Sequence, residues 1–232
     1  MSVADNISRV QERIHSAARR AGRDPAEVTL MAVSKTFSAE RVREAHAAGL
    51  RVFGENRVQE FAGKVDALHD LAGADWHLIG HLQTNKAAKA VELFSAIDSV
   101  DSVRLADKLN GAAHSLGKIL PVLIEINVGG EEAKSGVAPD SPELEEMLSR
   151  APQWPNLEVR GLMTVPPYSD DPEGARPFFR RLCAIRDSIA ERNLPTIRLD
   201  VLSMGMSHDL EVAIEEGSTF VRVGTAIFGG RR

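Results

Sequence analysis

The sequence has little of several features that mark particular classes of protein. It contains a single cysteine, Cys183, among 232 residues, so a disulfide within the chain is excluded and a reducing compartment is indicated. It has no apolar run near the ~20 residues that a membrane-spanning helix requires, and its N-terminus lacks the apolar core of a signal peptide. These absences predict a soluble, cytoplasmic protein.

Charge of one sign is not concentrated anywhere in the chain. The formal net charge is -5, and no basic stripe of the kind that nucleic-acid-binding proteins present is found. We therefore expect the protein to bind neither nucleic acid nor a membrane. There is also no low-complexity linker and no sharp shift in composition, so we expect the whole chain, 1–232, to form one domain.

Short apolar runs alternate with longer stretches of helical pattern along the chain. The runs typical of strands are 28–34, 51–56, 75–80, 94–100, 120–128, 157–165, 197–205 and 219–224. The helical stretches between them are 39–48, 56–71, 85–93, 102–116, 141–150, 173–192 and 207–216.

Repeated strand–helix units indicate parallel strands with helical crossovers. About eight such units predict an α/β fold, a single (β/α)8 TIM-type barrel, with a doubly wound sheet as the alternative. An additional N-terminal helix is predicted because Val3, Ile7, Val10 and Ile14 share one helical face. In such barrels the functional residues lie just after each strand.

One lysine stands out by its position after a predicted strand. Lys35 directly follows the first apolar run, which would place its amine at the mouth of the barrel. Partial burial there would lower the pKa of the amine and give the neutral form that a Schiff base requires. Lys86 and Lys134 also follow strands, deeper in their loops, and remain competitors for an anion contact. A surface lysine at a strand end is the alternative interpretation.

Small residues cluster at the ends of the last two predicted strands, where barrels commonly bind phosphate. Tight turns are the alternative explanation. Exposed amides and hydroxyls before a helix favour an anion. The candidates are Ser203, Gly205, Ser207, Gly224 and Thr225.

A charged residue lies inside the last predicted strand. Arg222 is two residues before Gly224, so the two lie on the same side of the strand. A buried arginine is costly unless it is paired or binds a ligand. The sequence leaves two possibilities open, a ligand contact or an ion pair with a core carboxylate such as Glu125 or Glu55.

Taken together, these segments resemble a known family. The stretches AVSKT (32–36), FGENRVQE (53–60), WHLIGHLQTNK (76–86), IEINVGGEEAKSG (124–136), RGLMT (160–164), LSMGMSHD (202–209) and VRVGTAIFG (221–229) match the pyridoxal 5'-phosphate (PLP) homeostasis family in order and over nearly the whole chain. This family, also called the proline-synthetase co-transcribed homologue family, consists of barrels similar to the N-terminal domain of alanine racemase.

The resemblance implies specific roles for the candidate residues. PLP would be held as a Schiff base on Lys35, and Arg222 would contact the pyridine nitrogen. Asn56 would flank the cofactor ring, and Met204 or His81 would line the pocket. The phosphate would be bound by Ser203, Gly224 and Thr225, with the Met204–Gly205 backbone.

The resemblance also implies a monomeric carrier that regulates PLP supply, rather than an enzyme, with apo PLP-dependent enzymes as candidate partners. The related racemases carry a tyrosine four residues after the lysine, where this chain has Ala39, and a second domain that supplies a tyrosine base. Here the only tyrosine is Tyr168, and a racemase needs an acid–base group on each face of its substrate. A small PLP-dependent racemase or lyase, or a Schiff-base aldolase without PLP, remains an alternative.

Overall fold

A computed structural model describes residues 2–131 and 134–230 of the chain. Its strands are parallel, and each one pairs with the next along the chain. They are β1 (Thr29–Val33), β2 (Val52–Glu55), β3 (Asp75–Leu78), β4 (Ala96–Val100), β5 (Leu120–Glu125), β6 (Leu157–Met163), β7 (Ile197–Met206) and β8 (Phe220–Val223).

Pairing between the first and the last strand closes the sheet. Met31 of β1 lies opposite Arg222 of β8, in a parallel register that runs from Thr29 to Ala32 on the first strand. The predicted (β/α)8 barrel is confirmed, and the doubly wound sheet is excluded because that fold leaves two open edges.

Helices follow the strands and cover the barrel. They are α1 (Val3–Arg20), α2 (Ala39–Ala47), α3 (Val58–Ala62), α4 (Ala87–Leu93), α5 (Val103–Ser115), α6 (Pro142–Arg150), α7 (Arg176–Glu191), α8 (Leu210–Glu215) and α9 (Thr225–Phe228).

The helix predicted over 56–71 is shorter than expected. It ends at Gly63, which caps α3, and a separate 3₁₀ turn covers Val65–Ala67. Glycine is a poor residue for continuing a helix. Lys64, between the two segments, turns back toward the carboxylate of Glu55, with its Nζ 2.7 Å from Oε1.

The predicted N-terminal helix is confirmed as α1. Ser2 caps it, and the side chain of Asp5 returns a bond to the Ser2 amide, which completes a capping box. Its apolar face is buried on the outside of the barrel, where α1 packs against α8, α9 and α2. The helix therefore joins the start of the chain to its last elements.

The core has two layers because strand side chains alternate between the helices and the barrel interior. Phe53 points outward and stacks on Trp76 at 4.9 Å between ring centroids. Fully burying a large apolar side chain of this kind contributes on the order of 1.5–3 kcal/mol. Met31 and Arg222 point inward, where the functional groups described below are collected.

A cavity of about 510 Å³ opens at the N-terminal end of the barrel. His77 lies in it between Asp98, 3.0 Å from Nδ1, and Asp75, 3.2 Å from Nε2. Burial opposes protonation of His77, but the two carboxylates outweigh it and raise the pKa of the imidazole to about 10. An imidazolium held by two carboxylates balances charge at this end of the barrel, away from the strand ends where barrels build their sites.

Within the two described ranges, no helix combines the length and the apolar character needed to cross a membrane. The same residues contain no group of three or more histidine, cysteine, aspartate or glutamate side chains arranged to hold a metal ion. Cys183 is half-buried on α7, and its Sγ donates to the carbonyl of Glu216 at 2.7 Å. Burial raises the pKa of this thiol. A thiol that stays protonated is a poor nucleophile, so Cys183 is interpreted as a structural residue and not as a reactive one.

Candidate functional site

The C-terminal ends of the strands surround a cavity of about 520 Å³. This volume lies within the range of about 300–1,000 Å³ that is typical of small-molecule sites. Polar groups from the first, second, seventh and eighth strand ends converge on it. They include Lys35, Asn56, Ser207, Arg222, Gly224 and Thr225.

Lys35 occupies the position that the sequence predicts. It is the second residue after β1, is half-buried and lines the cavity. Of the two competing lysines, Lys86 belongs to a 3₁₀ turn and is not among the residues that line the cavity. Lys134 does line it, but its Nζ donates to the carbonyl of Pro166 at 3.1 Å and pairs with the Glu131 carboxylate.

Arg222 lies inside the barrel wall and is only 3% exposed. Its Nη1 donates to Ser203 Oγ at 2.6 Å and its Nη2 to the Thr164 carbonyl at 2.7 Å. A guanidinium has five N–H donors, so these two bonds leave others for a ligand. Among the described residues, neither Glu125 nor Glu55 forms the direct ion pair that the sequence left open.

The charge on Arg222 is stabilised by carboxylates at longer range. Burial lowers the pKa of the guanidinium, and the nearby carboxylates of Asp98, Glu125 and Asp209 oppose this effect. An arginine gives up its proton so reluctantly that the group stays a cation. The barrel interior therefore presents a fixed, hydrogen-bonded positive charge to the cavity.

The sequence predicted the extent of the seventh strand to within one residue, 197–205 against Ile197–Met206, but it did not predict the burial of the last residues of the strand. Ser203, Met204 and Gly205 lie within β7 and are completely or almost completely buried, so the prediction that Ser203 and Gly205 offer exposed groups is wrong. Gly205 has a φ of +92°, and a Cβ there would lie 2.5 Å from the Cβ of Ala213. The glycine is needed for packing against α8, and none of the three residues lines the cavity.

Ser207, the first residue beyond β7, is half-buried and is the more accessible of the two serines. It lines the cavity, and its Oγ accepts from the Ala226 amide at 3.3 Å, which joins the loops that follow β7 and β8. Helix α1 supports both loops. Arg13 donates to the Ser207 carbonyl at 3.0 Å, and Asn6 donates to the Ile227 carbonyl at 2.8 Å.

The loop after β8 agrees with the prediction. Gly224 and Thr225 both line the cavity, and Thr225 is exposed. A Cβ at Gly224 would lie 3.3 Å from the carbonyl oxygen of Val33, so a larger residue would crowd the first strand. The C-terminal ends of β1 and β8 lie close together at this point, so Thr225 and Lys35 line the same cavity.

The two remaining residues from the resemblance have different positions. Asn56 follows β2, is half-buried and lines the cavity. His81 is exposed, and its Nδ1 lies 3.2 Å from the Asp101 carboxylate. His81 is not among the residues that line the cavity, although the resemblance implied such a position for it or for Met204.

The donor set fits a planar, anionic aldehyde cofactor such as PLP. One amine, Lys35, could react with an aldehyde, and a guanidinium, Arg222, could donate to a ring nitrogen. Hydroxyls from Ser207 and Thr225 could bind a phosphate. Apolar side chains, among them Val33, complete the walls and suit an aromatic ring.

Comparisons with known proteins point to one family. Residues 6–232 match the family model described as alanine racemase, N-terminal domain. The pyridoxal phosphate homeostasis proteins of Aquifex aeolicus and Pseudomonas aeruginosa are 47% and 48% identical to the chain. The first alignment covers 100% of both proteins, and the second covers 99% of this chain and 96% of the relative.

The chain belongs to the pyridoxal phosphate homeostasis protein family. A solved structure of PipY from Synechococcus elongatus PCC7942, with PLP bound, is also similar to it. The TM-score is 0.84 at 37% sequence identity, over 98% of this chain and 100% of that one. The resemblance inferred from the motifs is confirmed.

Tyr168 is a site residue that the sequence reasoning missed. It lines the mouth of the barrel cavity and is 80% exposed. The centroid of its ring lies 6.0 Å from the centroid of the His208 ring. His208 also lines the cavity and contacts the Asp170 carbonyl at 3.0 Å. The signal was present, because Tyr168 lies in the loop after a strand, where barrels place functional residues.

A buried carboxyl at the end of β5 lies near this site. Glu125 is 7% exposed, and its Oε2 has no hydrogen-bond partner among the described residues. Burial raises the pKa of Glu125 to about 7, repulsion from Asp101 adds to the rise, and Arg222 opposes it. The carboxyl therefore changes charge near neutral pH inside the barrel.

Glu125→Gln should stabilise the cofactor-free protein above pH 7. The folded-state pKa is raised, so the wild type loses folding free energy as the pH rises from about 4.5 through about 7. The amide avoids that loss, and the expected gain at pH 8 is on the order of 1–3 kcal/mol, since one pKa unit corresponds to about 1.4 kcal/mol. Urea unfolding of both proteins at pH 5 and pH 8 measures it. An equal stability difference at both pH values would contradict the assignment.

Proposed function

We propose that this protein binds PLP at the C-terminal end of its barrel, holds it reversibly on Lys35 and regulates PLP supply inside the cell. The observation that carries the proposal is the convergence of Lys35, buried Arg222 and the hydroxyls of Ser207 and Thr225 on one cavity. Membership of the pyridoxal phosphate homeostasis family and the PLP-bound relative support it.

Each cavity residue has a role in this proposal. Ser207, Gly224 and Thr225 bind the phosphate through hydroxyls and amides, and Asn56 flanks the ring. Arg222 donates to the pyridine nitrogen. Ser203, which the sequence assigned to the phosphate, instead orients Arg222 by the 2.6 Å bond to its Nη1. Met204 and Gly205 belong to the last part of β7, the strand that leads to Ser207.

The covalent step requires only Lys35. Its neutral amine adds to the aldehyde carbon, a C–N bond forms, and the carbonyl oxygen leaves as water. The reverse reaction, hydrolysis, returns the free aldehyde. A half-buried amine at the rim of an open cavity suits this reversible attachment, because water can still reach the bond.

Arg222 favours binding over turnover. PLP supplies an electron sink that stabilises a carbanion, and this sink is strongest when the pyridine nitrogen is protonated. A guanidinium keeps its own proton and leaves the nitrogen unprotonated. A weak electron sink suits a carrier that passes PLP to apo-enzymes better than it suits an enzyme. The proposal also includes the monomeric, cytoplasmic state that the sequence and the resemblance imply.

One observation favours a second function, slow racemase or lyase activity. Tyr168 and His208 line the same cavity as Lys35, so a second acid–base group is available there. Saturable exchange of the α-proton of amino acids with solvent deuterium, lost in Tyr168→Phe, would support this alternative. An exchange rate equal to that of free PLP would count against it.

Lys35→Ala should abolish covalent attachment of PLP while phosphate contacts retain weak binding. Wild-type protein incubated with PLP should absorb visible light, and borohydride reduction followed by peptide mapping should locate the label on Lys35. Lys86→Ala is the matched control, since Lys86 lies outside the cavity lining, and it should label like the wild type. Label on Lys86 or Lys134 would overturn the assignment. Protein that stays colourless with added PLP would favour a phosphate-sugar aldolase.

The loaded protein should transfer PLP to an apo-enzyme faster than it releases PLP to buffer. Activation of an apo-transaminase by loaded protein is compared with activation by the same concentration of free PLP. A trap for free aldehyde in parallel samples separates direct transfer from release. Activation that the trap removes completely would contradict the carrier function and leave a storage function.

A further inference from the structure

Lys35 lies in a tight turn whose other residues face away from the cavity. The Phe37 amide donates to the Ser34 carbonyl at 3.2 Å, so Ser34 to Phe37 form a four-residue turn with Lys35 in its second position. Thr36, in the third position, has a φ of +65°. A turn with a left-handed third residue normally has glycine there, because a β-branched side chain is strained in this conformation.

A buried polar cluster behind the barrel wall holds this turn. We define it as Ser34, Glu55, Glu60 and Lys64. Ser34 is completely buried, and its Oγ donates to Glu55 Oε1 at 2.6 Å. Glu60, from α3, accepts a hydrogen bond from the Thr36 amide.

Lys64 connects the parts of the cluster. Its Nζ lies 2.7 Å from Glu55 Oε1 and donates to the Ser34 carbonyl at 3.0 Å and to the Phe37 carbonyl at 3.5 Å. One ammonium group therefore contacts both ends of the turn that carries Lys35. The side chain of Lys64 is 13% exposed and that of Glu55 is completely buried, so little water competes for these bonds.

The cluster has features that stability alone does not explain. Burial raises the pKa of Glu55, and the Lys64 charge opposes this rise, while Glu55 Oε2 is buried with no hydrogen-bond partner among the described residues. Buried ion pairs often stabilise a protein less than apolar side chains of similar size would. Backbone strain that surrounding contacts hold in place is concentrated at functional sites.

We propose that Lys64, together with Glu55 and Glu60, is a positioning device that fixes the strained turn at Thr36 and so directs the Lys35 amine toward the aldehyde of the bound cofactor. The proposal rests on the proposed function, because it assigns the cluster a role in the reaction of Lys35 and none in binding ring or phosphate. Contacts of this kind affect rate through orientation of the reacting groups.

Lys64→Met should slow attachment of PLP without weakening non-covalent binding. We expect the rate constant for imine formation, followed by visible absorbance, to fall roughly tenfold or more, since misplacement by an ångström can cost that much. The affinity for 4'-deoxypyridoxine 5'-phosphate, which has the ring and phosphate but no aldehyde, should change less than about twofold, well under the ~1.4 kcal/mol of a tenfold change.

Glu60→Ala provides a second variant in case Lys64→Met fails to fold. It releases the Thr36 amide from a partly exposed carboxylate and should slow attachment in the same direction. Lys89→Met is the control for loss of a lysine, because Lys89 pairs with Glu92 on exposed α4. Adding Thr36→Gly to a slowed variant should restore part of the rate, because glycine adopts the left-handed conformation without strain.

The outcomes separate the inference from the proposed function. Slow attachment with unchanged analogue affinity, and partial recovery with Thr36→Gly, would support the positioning role. Equal loss of attachment and analogue affinity, an unchanged rate in the folded variants, or no recovery with glycine would overturn it. Wild-type protein that binds the analogue but never attaches PLP would overturn the proposed function and the inference with it.

Discussion

Closure of the barrel by the pairing of β1 with β8 is the constraint on which the site depends. It places Met31 opposite Arg222 and brings the turn of Lys35 beside the loop of Gly224. Met31 and Arg222 are 191 positions apart in the chain, and only parallel pairing of the first and last strands makes them neighbours. The Lys35 amine, the Arg222 guanidinium and the hydroxyls of Ser207 and Thr225 then share one cavity.

Inside the closed barrel, different groups provide the hydrogen bonds of the buried Arg222 and the charges that balance it. Arg222 obtains its direct hydrogen bonds from Ser203 and the Thr164 carbonyl, while carboxylates such as Asp98 balance it at longer range. A direct ion pair would neutralise the guanidinium and occupy its donors. The observed arrangement leaves N–H groups of Arg222 that bond neither to Ser203 nor to the Thr164 carbonyl. A ligand that accepted hydrogen bonds from them would lower the cost of burying the guanidinium.

Much of the fold and part of the site could be predicted, for identifiable reasons. Strand alternation and strand ends depend on local patterns, so the barrel and the positions of Lys35 and Arg222 followed from the sequence. The burial of Ser203 and Gly205 did not follow from the sequence, because it depends on packing against α8, where a Cβ at Gly205 would lie 2.5 Å from the Cβ of Ala213. Ser207, the first residue beyond β7, lines the cavity, and Ser203 does not. The contacts of Lys64 depend on partners up to 30 residues away, which no local pattern reveals.

The position of α1 has a consequence for synthesis of the protein. Its apolar face is covered by α8 and α9, which are synthesised long after α1. At ~5–20 residues per second, the helix waits about 10–40 seconds for these partners. During that time Val3, Ile7 and Val10 are available to chaperones or to other nascent chains. The cavity, which is lined by residues that follow β1 and by residues that follow β8, is therefore complete only after these late elements have been made.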